Sequence, residues 1–533
     1  MSFLKDFYTK KIERRLSRHL NNGRIFRMAL RVARLAPTPK DARPVAFFKA
    51  SSGLDDFSWN SAFHLLTSWG LRLQGIPVTY FACYHGMSRC VLGTNREDPS
   101  QEPPCHSCIY QAKTLYNGAK VHWFGLERSS ELERAISGLN LDELSSFTFR
   151  AIPLGALVLP GLRWILRRYN LIDDDATRFF FREYILSAFN ISQRFEHFLI
   201  VTDPQTVVVF NGQFYPEATV KWVARKHGLR VISHEVGLQP MTGFFTEGEA
   251  TIYPIDIPEE FDLDEAQNAR LDEYLEKRFQ GNFSMAGVKF WPDMKGLDEA
   301  FLAKAAAFKQ IVPVFTNVIF DTSQPHANTV FADMIAWLDL LLETAELHPE
   351  TLFVIRAHPD EMRAGKESQE SVAAWVESRQ ATNAQNVIFV APDEFLSSYE
   401  LIQRSKLVLI YNSTIGLEAS IMGTAVLCAG KARFTQYPTV FFPQSVDAYR
   451  ATLENFLKTD KIDIPVEFRR HSRRFLYYQL FRTSLPFDEF LERGILPVNA
   501  RLKLFNPQQL PSSPTIQTVT RGLLEDGDFL LEE

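Results

Sequence analysis

Short uninterrupted apolar runs recur along this chain, each ended by a polar turn and followed by a stretch with helical spacing. PVAFFKA (44–50), VTYFACY, TVVVF (206–210) and RVISHE (230–235) form one set; VPVFTNV (312–318), LFVIRAH (352–358), NVIFV and KLVLIY form another. Continuous apolar strands, as opposed to alternating ones, are expected where helices cover both faces of a parallel sheet. Helical stretches fall between them, among them Trp59 to Leu73, Tyr215 to His227 and Val330 to Leu347. The pattern predicts an α/β protein of two Rossmann-like, doubly wound domains with a ligand cleft between them.

The most informative stretch is VLIYNSTIGLEASIMGTAVLCAG (408–430). It reads as a buried strand, the polar turn Asn412-Ser413-Thr414, a helix and a second apolar strand. Asn, Ser and Thr favour helix N-caps, and a helix that opens at a strand's C-terminal end turns N–H donors and a positive dipole end towards phosphate. Glu418, one turn later, could accept from sugar hydroxyls. Arg356-Ala-His358-Pro359, at the end of an earlier strand of the same predicted domain, runs into Asp360-Glu361. Lys431, Arg433 and Tyr437 follow the second strand. His358 could equally cap a turn, Ser413 and Thr414 could be plain N-caps, and Glu418 could be a surface helix residue.

At 533 residues the chain exceeds one ordinary core and divides into domains of roughly 200 residues. The expected division is a basic segment 1–43, an N-terminal domain 44–255 with an insertion at 83–108, a crossing 256–300, a C-terminal domain 301–445, and helices with an acidic tail at 446–533. The tail from Glu525 to Glu533 is expected to be mobile. In the N-terminal domain, Gly53, Asp55 and Asp56 follow the first strand, where Asp56 could be a general base or an N-cap for the Trp59 helix. The tips Asn211-Gly212 and His234-Glu235 emerge at the same sheet edge. Arg163, Arg167 and Arg168 form a basic patch in a helical region.

Charge and cysteine usage narrow the classes further. Net charge is −5, which gives no global signal for nucleic acid. Residues 1–35 nevertheless hold ten basic against two acidic side chains, a formal +8, with Leu4, Phe7, Ile12, Leu16 and Leu20 at helical spacing. Such a helix could lie on an anionic membrane surface or pack by one face on its own domain. Five cysteines do not make a disulfide framework and fit a reducing, cytoplasmic compartment. Cys83, Cys90, Cys105 and Cys108 fall within 26 residues, a clustering that predicts a structural zinc or iron–sulfur site. No signal peptide is visible, and the most apolar stretch, Ala151 to Leu162, is too short to span a bilayer.

The order HP, then Ser-Thr, then GLEA…G over roughly 310–440 resembles the GT-B glycosyltransferases of bacterial capsule polysaccharide biosynthesis. That group includes the β-Kdo transferases and shares HP and Ser/Thr motifs with bacterial sialyltransferases. The resemblance implies metal-independent transfer of a sugar from a nucleotide-activated donor to a saccharide or lipid-linked acceptor at the inner membrane face. It implies that His358 contacts the leaving phosphate, that Ser413 and Thr414 bind phosphate with Arg356, Asn412 and Lys431 nearby, and that Glu418 holds the ribose. Relatives carry two acids before a Gly in the N-terminal domain; here His234-Glu235-Val236-Gly237 has one, and Glu235 is the corresponding candidate base. A nucleotide-sugar epimerase, a polyol-phosphate transferase and a non-catalytic sugar-nucleotide-binding protein are the alternatives.

Overall fold

The computed structural model describes residues 2–51, 54, 56–280, 296–363, 365–496 and 499–533, with the side chains of residues 2–11 excepted. Gly53 and Asp55 thus lie outside the described residues. The N-terminal sheet contains β1 (Val45–Phe48), β2 (Val78–Cys83), β3 (Lys120–Phe124), β4 (Thr206–Phe210), β5 (Arg230–Val236) and β6 (Thr242–Glu247). The C-terminal sheet contains β7 (Gln310–Phe315), β8 (Thr351–Arg356), β9 (Val387–Val390), β10 (Leu407–Ile410) and β11 (Ala425–Cys428).

Both sheets repeat one topology. The order β3-β2-β1-β4-β5 in the first is matched by β9-β8-β7-β10-β11 in the second, and every one of these neighbours pairs in parallel. Strand order reverses beside β1 and again beside β7, and a crevice opens at the carboxyl ends of the strands at such a switch point. The first sheet is extended by the antiparallel β6 and by β12 (Leu485–Pro486), contributed from the far end of the chain. The apolar runs are buried as predicted: all four residues of β1, β10 and β11 are buried.

Three stretches bear on what the sequence left open or suggested. The helix α1 (Ser2–Leu35) packs by one face on its own domain, one of the two readings the sequence allowed: Ile25, Met28, Ala29 and Val32 lie in the core against α2 (Trp59–Leu73) and α3 (Cys105–Leu115). Earlier along the helix, Ile12, Leu16 and Leu20 are 64%, 59% and 55% exposed. After two helices that pack on the C-terminal domain, the chain returns to the N-terminal core through Leu485, Phe487, Phe490, Ile516 and Val519. The acidic tail is pinned instead of mobile: Phe529 is buried, the Leu531 N–H donates to the Arg482 carbonyl at 2.9 Å, and Glu533 accepts from Gln267 at 2.7 Å. Apolar side chains at 529–531 and nearby arginines outweigh the acidic composition. Among the described residues no helix is long and apolar enough to cross a membrane.

Candidate active site

The turn after β10 takes its shape from local packing. A Cβ on Gly416 would lie 2.3 Å from Ile410 Cδ1, so glycine lets the Ile415–Met422 helix settle directly on the strand that precedes it. Thr414 occupies the N-cap in helical conformation, with no side-chain capping hydrogen bond. The hydroxyls of Ser413 and Thr414 are therefore not spent as N-caps, the alternative that the sequence left open. Asn412 is held by three neighbours: its N–H donates to Asn317 Oδ1 at 3.2 Å, its Oδ1 accepts from Gln324 Nε2 at 3.1 Å, and its Nδ2 donates to Ser323 Oγ at 3.4 Å. These partners come from the loop after β7, so the two strands that flank the switch point are laced together at their carboxyl ends.

Above this lacing lies an interdomain cleft of about 450 Å³. His358, Asn412, Ser413, Thr414 and Lys431 all line it, which brings five of the sequence-predicted residues together. Arg167, Arg363, Lys366 and Arg433 join Lys431 on its walls, against the two carboxylates Asp321 and Asp360. His358 Nδ1 accepts the Asp360 N–H at 3.1 Å, which in the neutral ring leaves the proton on Nε2. Burial lowers the imidazole's pKa, and the charges of Asp360 and Asp321 oppose it only in part. The ring is thus a neutral N–H donor at physiological pH.

The remaining predicted residues lie outside this lining. Arg356 is buried beneath it, donates to the Leu396 carbonyl at 2.7 Å, and has its pKa lowered to about 10 by burial. Glu418 is also buried. It pairs with Arg278 Nη2 at 2.5 Å and accepts from Tyr399 Oη at 2.5 Å, so both partners occupy the carboxylate expected at the ribose. Glu235 is the penultimate residue of β5, with Oε1 accepting from Asn60 Nδ2 at 2.8 Å and from the Val236 N–H at 2.9 Å. Burial raises its pKa and the nearby Asp321 charge adds to the rise, which suits a carboxylate that must take a proton.

Asp56 belongs to a second cavity of about 540 Å³, which shares Trp164, Arg167 and Lys366 with the cleft. Among the described residues, Arg14, Arg15 and Arg18 of α1 and Arg501 bring its basic lining residues to six, and Asp56 is the acidic one. Asp56 lies 3.7 Å from Arg18, has a left-handed backbone at φ 62°, and does not cap α2, whose first turn is capped by Ser58. The four clustered cysteines carry no disulfide and line a separate small cavity with His85. Burial pushes the Cys83 thiol up to about 12 and Cys90 higher still, so neither is a thiolate nucleophile by itself.

Several cleft residues escaped the sequence reading. Asp321, Ser323 and His326 sit on the loop FDTSQPHAN after β7, a polar loop at a strand's carboxyl end that could have been marked on that ground alone. His326 forms a close pair with Glu249 of the N-terminal domain, whose other oxygen accepts from Lys221 at 2.7 Å. Burial pushes the Glu249 carboxyl up, but the His326 hydrogen bond and the Lys221 charge outweigh it and hold the pKa at about 2. Gln213 Nε2 donates to the Thr322 carbonyl at 2.8 Å beside it, so this loop fastens the two domains at the mouth of the cleft. No sequence spacing links residues 213, 249 and 326.

Residues 297–437 match the family model described as capsule polysaccharide biosynthesis protein. No curated protein sequence matches the chain. Among solved structures, Thermosulfurimonas dismutans KpsC β-Kdo 2,7 transferase is similar at 13% identity and TM-score 0.32, over 58% of this chain and 85% of that one. The β-Kdo 2,4 transferase of the same protein is similar at 9% identity and TM-score 0.34, over 53% and 80%. UDP-GlcNAc 2-epimerase from Neisseria meningitidis is similar at 13% identity and TM-score 0.23, over 82% and 98%. Residues 297–437, about a quarter of the chain, are therefore similar to the capsule polysaccharide biosynthesis family model, on a chain built of two Rossmann-like sheets.

Proposed function

We propose that the protein transfers a sugar from a nucleotide-activated donor, bound in the interdomain cleft, to a lipid-linked saccharide acceptor at an anionic membrane surface. The observation that carries this reading is the charge of the cleft: five cationic side chains and a neutral histidine donor gather beside the turn at 412–414, against two carboxylates. Transfer leaves a nucleotide phosphate carrying more negative charge than it had in the donor. Preorganised donors and cations that meet this charge lower the barrier. Lys431, Arg433 and the Ser413-Thr414 turn take the phosphates, and His358 donates Nε2–H to the departing oxygen. Glu235, whose pKa burial and the Asp321 charge raise, takes the acceptor proton.

The acceptor enters through the second cavity, whose basic residues suit an anionic saccharide or headgroup. The earlier part of α1 supplies both a wall of that cavity and the exposed row Ile12, Leu16 and Leu20, an arrangement that fits a helix resting on lipid.

Calorimetric titration of nucleotide diphosphates tests the donor assignment. Lys431→Ala/Arg433→Ala should weaken a nucleoside diphosphate by roughly tenfold or more, as expected for the loss of charge-assisted phosphate contacts, and leave the parent nucleoside unaffected. Equal loss for both ligands, or none for the diphosphate, would remove the phosphates from this wall.

A further inference from the structure

The donor cleft and the basic cavity meet at Arg167, which lines both, with Trp164 and Lys366 beside it. Arg167 follows the Leu154–Leu166 helix and closes it in the left-handed conformation, at φ 59°. Glycine or asparagine usually takes such a position, so an arginine there keeps its side chain against a backbone preference. Both domains fix it in place. Its guanidinium lies 4.2 Å from the Trp164 ring centroid and 5.1 Å from that of Phe320, on the loop after β7. Its carbonyl accepts the Gln369 N–H at 3.0 Å, and Glu370 accepts the N–H groups of Tyr169 and Asn170, each at 2.9 Å.

Arg167 is 5% exposed, and its Nη1 donates to the Trp164 carbonyl at 2.9 Å. Its Nε is buried without a hydrogen-bond partner among the described residues. In the same cavity Arg18 faces Asp56 at 3.7 Å and Arg501 faces Glu492 at 3.6 Å, whereas no carboxylate among the described residues lies within ion-pair distance of Arg167. Burial and the Arg96 charge lower its pKa to about 10, with Glu367 opposing them in part, so the group stays charged at physiological pH. A buried charge with an unmade hydrogen bond is costly, and an oxyanion that meets both offsets that cost.

We propose that Arg167 binds an oxyanion of the acceptor, a carboxylate of its saccharide or the phosphate of its lipid link, and so seats the acceptor beside the donor sugar. This rests on the transferase reading and adds the residue by which the acceptor is selected. In that reading Lys431, Arg433 and the turn at 412–414 take the donor's phosphates, and Arg167 stands where the acceptor's cavity opens into their cleft. A planar guanidinium grips two oxygens of a carboxylate or phosphate at once, and a neutral hydroxyl gains much less from it.

The full chain, titrated calorimetrically with glucuronate and glycerol 3-phosphate and with the uncharged glucose and glycerol, tests this directly. Wild type should bind at least one charged probe roughly tenfold or more tightly than its neutral counterpart. Preference for glucuronate assigns the saccharide carboxylate, and preference for glycerol 3-phosphate assigns the lipid phosphate. Arg167→Gln should lose the preference while CMP, UDP, GDP and dTDP affinities stay within about twofold of wild type. Arg167→Lys should recover only part of it, because an ammonium is a point charge. Should the glutamine variant fail to fold, Arg167→Gly, which suits the left-handed position, takes its place. A preference that survives in Arg167→Gln, or no preference in wild type, would overturn the proposal. So would a nucleotide weakened as much as the probes, which would put Arg167 on the donor. If wild type binds none of the four nucleotides, the donor assignment fails instead, and the probes still decide the role of Arg167.

Discussion

Glu418 offers a sharp way to separate a structural role from a ribose-binding one. Its carboxylate and the Arg278 guanidinium are 5% and 8% exposed and 2.5 Å apart, with Tyr399 donating to the same carboxylate at 2.5 Å. Burial disfavours the charged guanidinium, and the Glu418 carboxylate more than restores it. Arg278 lies on the Glu265–Phe279 helix of the crossing, so the pair fastens that helix to the one that begins at the cleft. Glu418→Gln keeps the shape but strands the arginine. Removing one partner of a buried pair costs about 3–5 kcal/mol. At about 2–4 °C per kcal/mol for a sizeable domain, the loss is roughly 6–20 °C in Tm. Thermal unfolding and nucleotide titration on the same sample read both properties. The expected result is a large fall in Tm with nucleotide affinity within about twofold of wild type. Arg278→Met/Glu418→Leu should recover much of the stability, since apolar residues of similar volume replace such pairs at little cost. An unchanged Tm with weakened nucleotide binding would refute the structural reading and place Glu418 at the ribose.

Further outcomes follow from other residues. His358→Ala, and separately Ser413→Ala/Thr414→Ala, should each lower transfer by about 10²-fold while the fold survives; wild-type turnover in either soluble variant would remove these residues from the site. Burial pushes the Glu361 carboxyl up to about 8 from 4.5, so the folded chain keeps a proton that the unfolded chain releases. Stability therefore falls as pH rises through that window, and Glu361→Gln should raise Tm more at pH 8 than at pH 5; an equal gain at both would contradict the buried, protonated acid. Each basic residue near an anionic surface contributes about 1 kcal/mol, so co-sedimentation with anionic vesicles should weaken as salt rises. Ile12→Ser/Leu16→Ser/Leu20→Ser should reduce that binding without unfolding the protein, whereas deletion of residues 1–35 should unfold it. Salt-independent binding, or none by the wild type, would argue against the peripheral-membrane role.

The repeating topology was readable because each buried strand is an unbroken apolar run and each turn after it is polar. The same feature places His358 and the 412–414 turn at one sheet edge from sequence alone. Long-range pairing left no such trace. Arg278 meets Glu418 across 140 positions, and His326 meets Glu249 across the domain boundary. Composition misled at the acidic tail, which hides Phe529 and Leu531 that anchor it; at the basic α1 it left open the packing that Ile25, Met28 and Val32 make in the core. Asp56 stands at the sheet edge the sequence predicted, but nothing local indicates that Arg18 meets it.

Sugar transfer at the interdomain cleft is tested most directly by mass spectrometry of donor and acceptor together. Purified wild type and His358→Ala would be incubated with CMP-, UDP-, GDP- and dTDP-sugars, with and without a lipid-linked saccharide acceptor. The expected result is that one donor releases its nucleotide only when acceptor is present, in step with an acceptor mass increased by one sugar, and that His358→Ala slows both changes alike. Conversion of a nucleotide sugar into its epimer without acceptor, or tight donor binding with no nucleotide released under any condition, would contradict it.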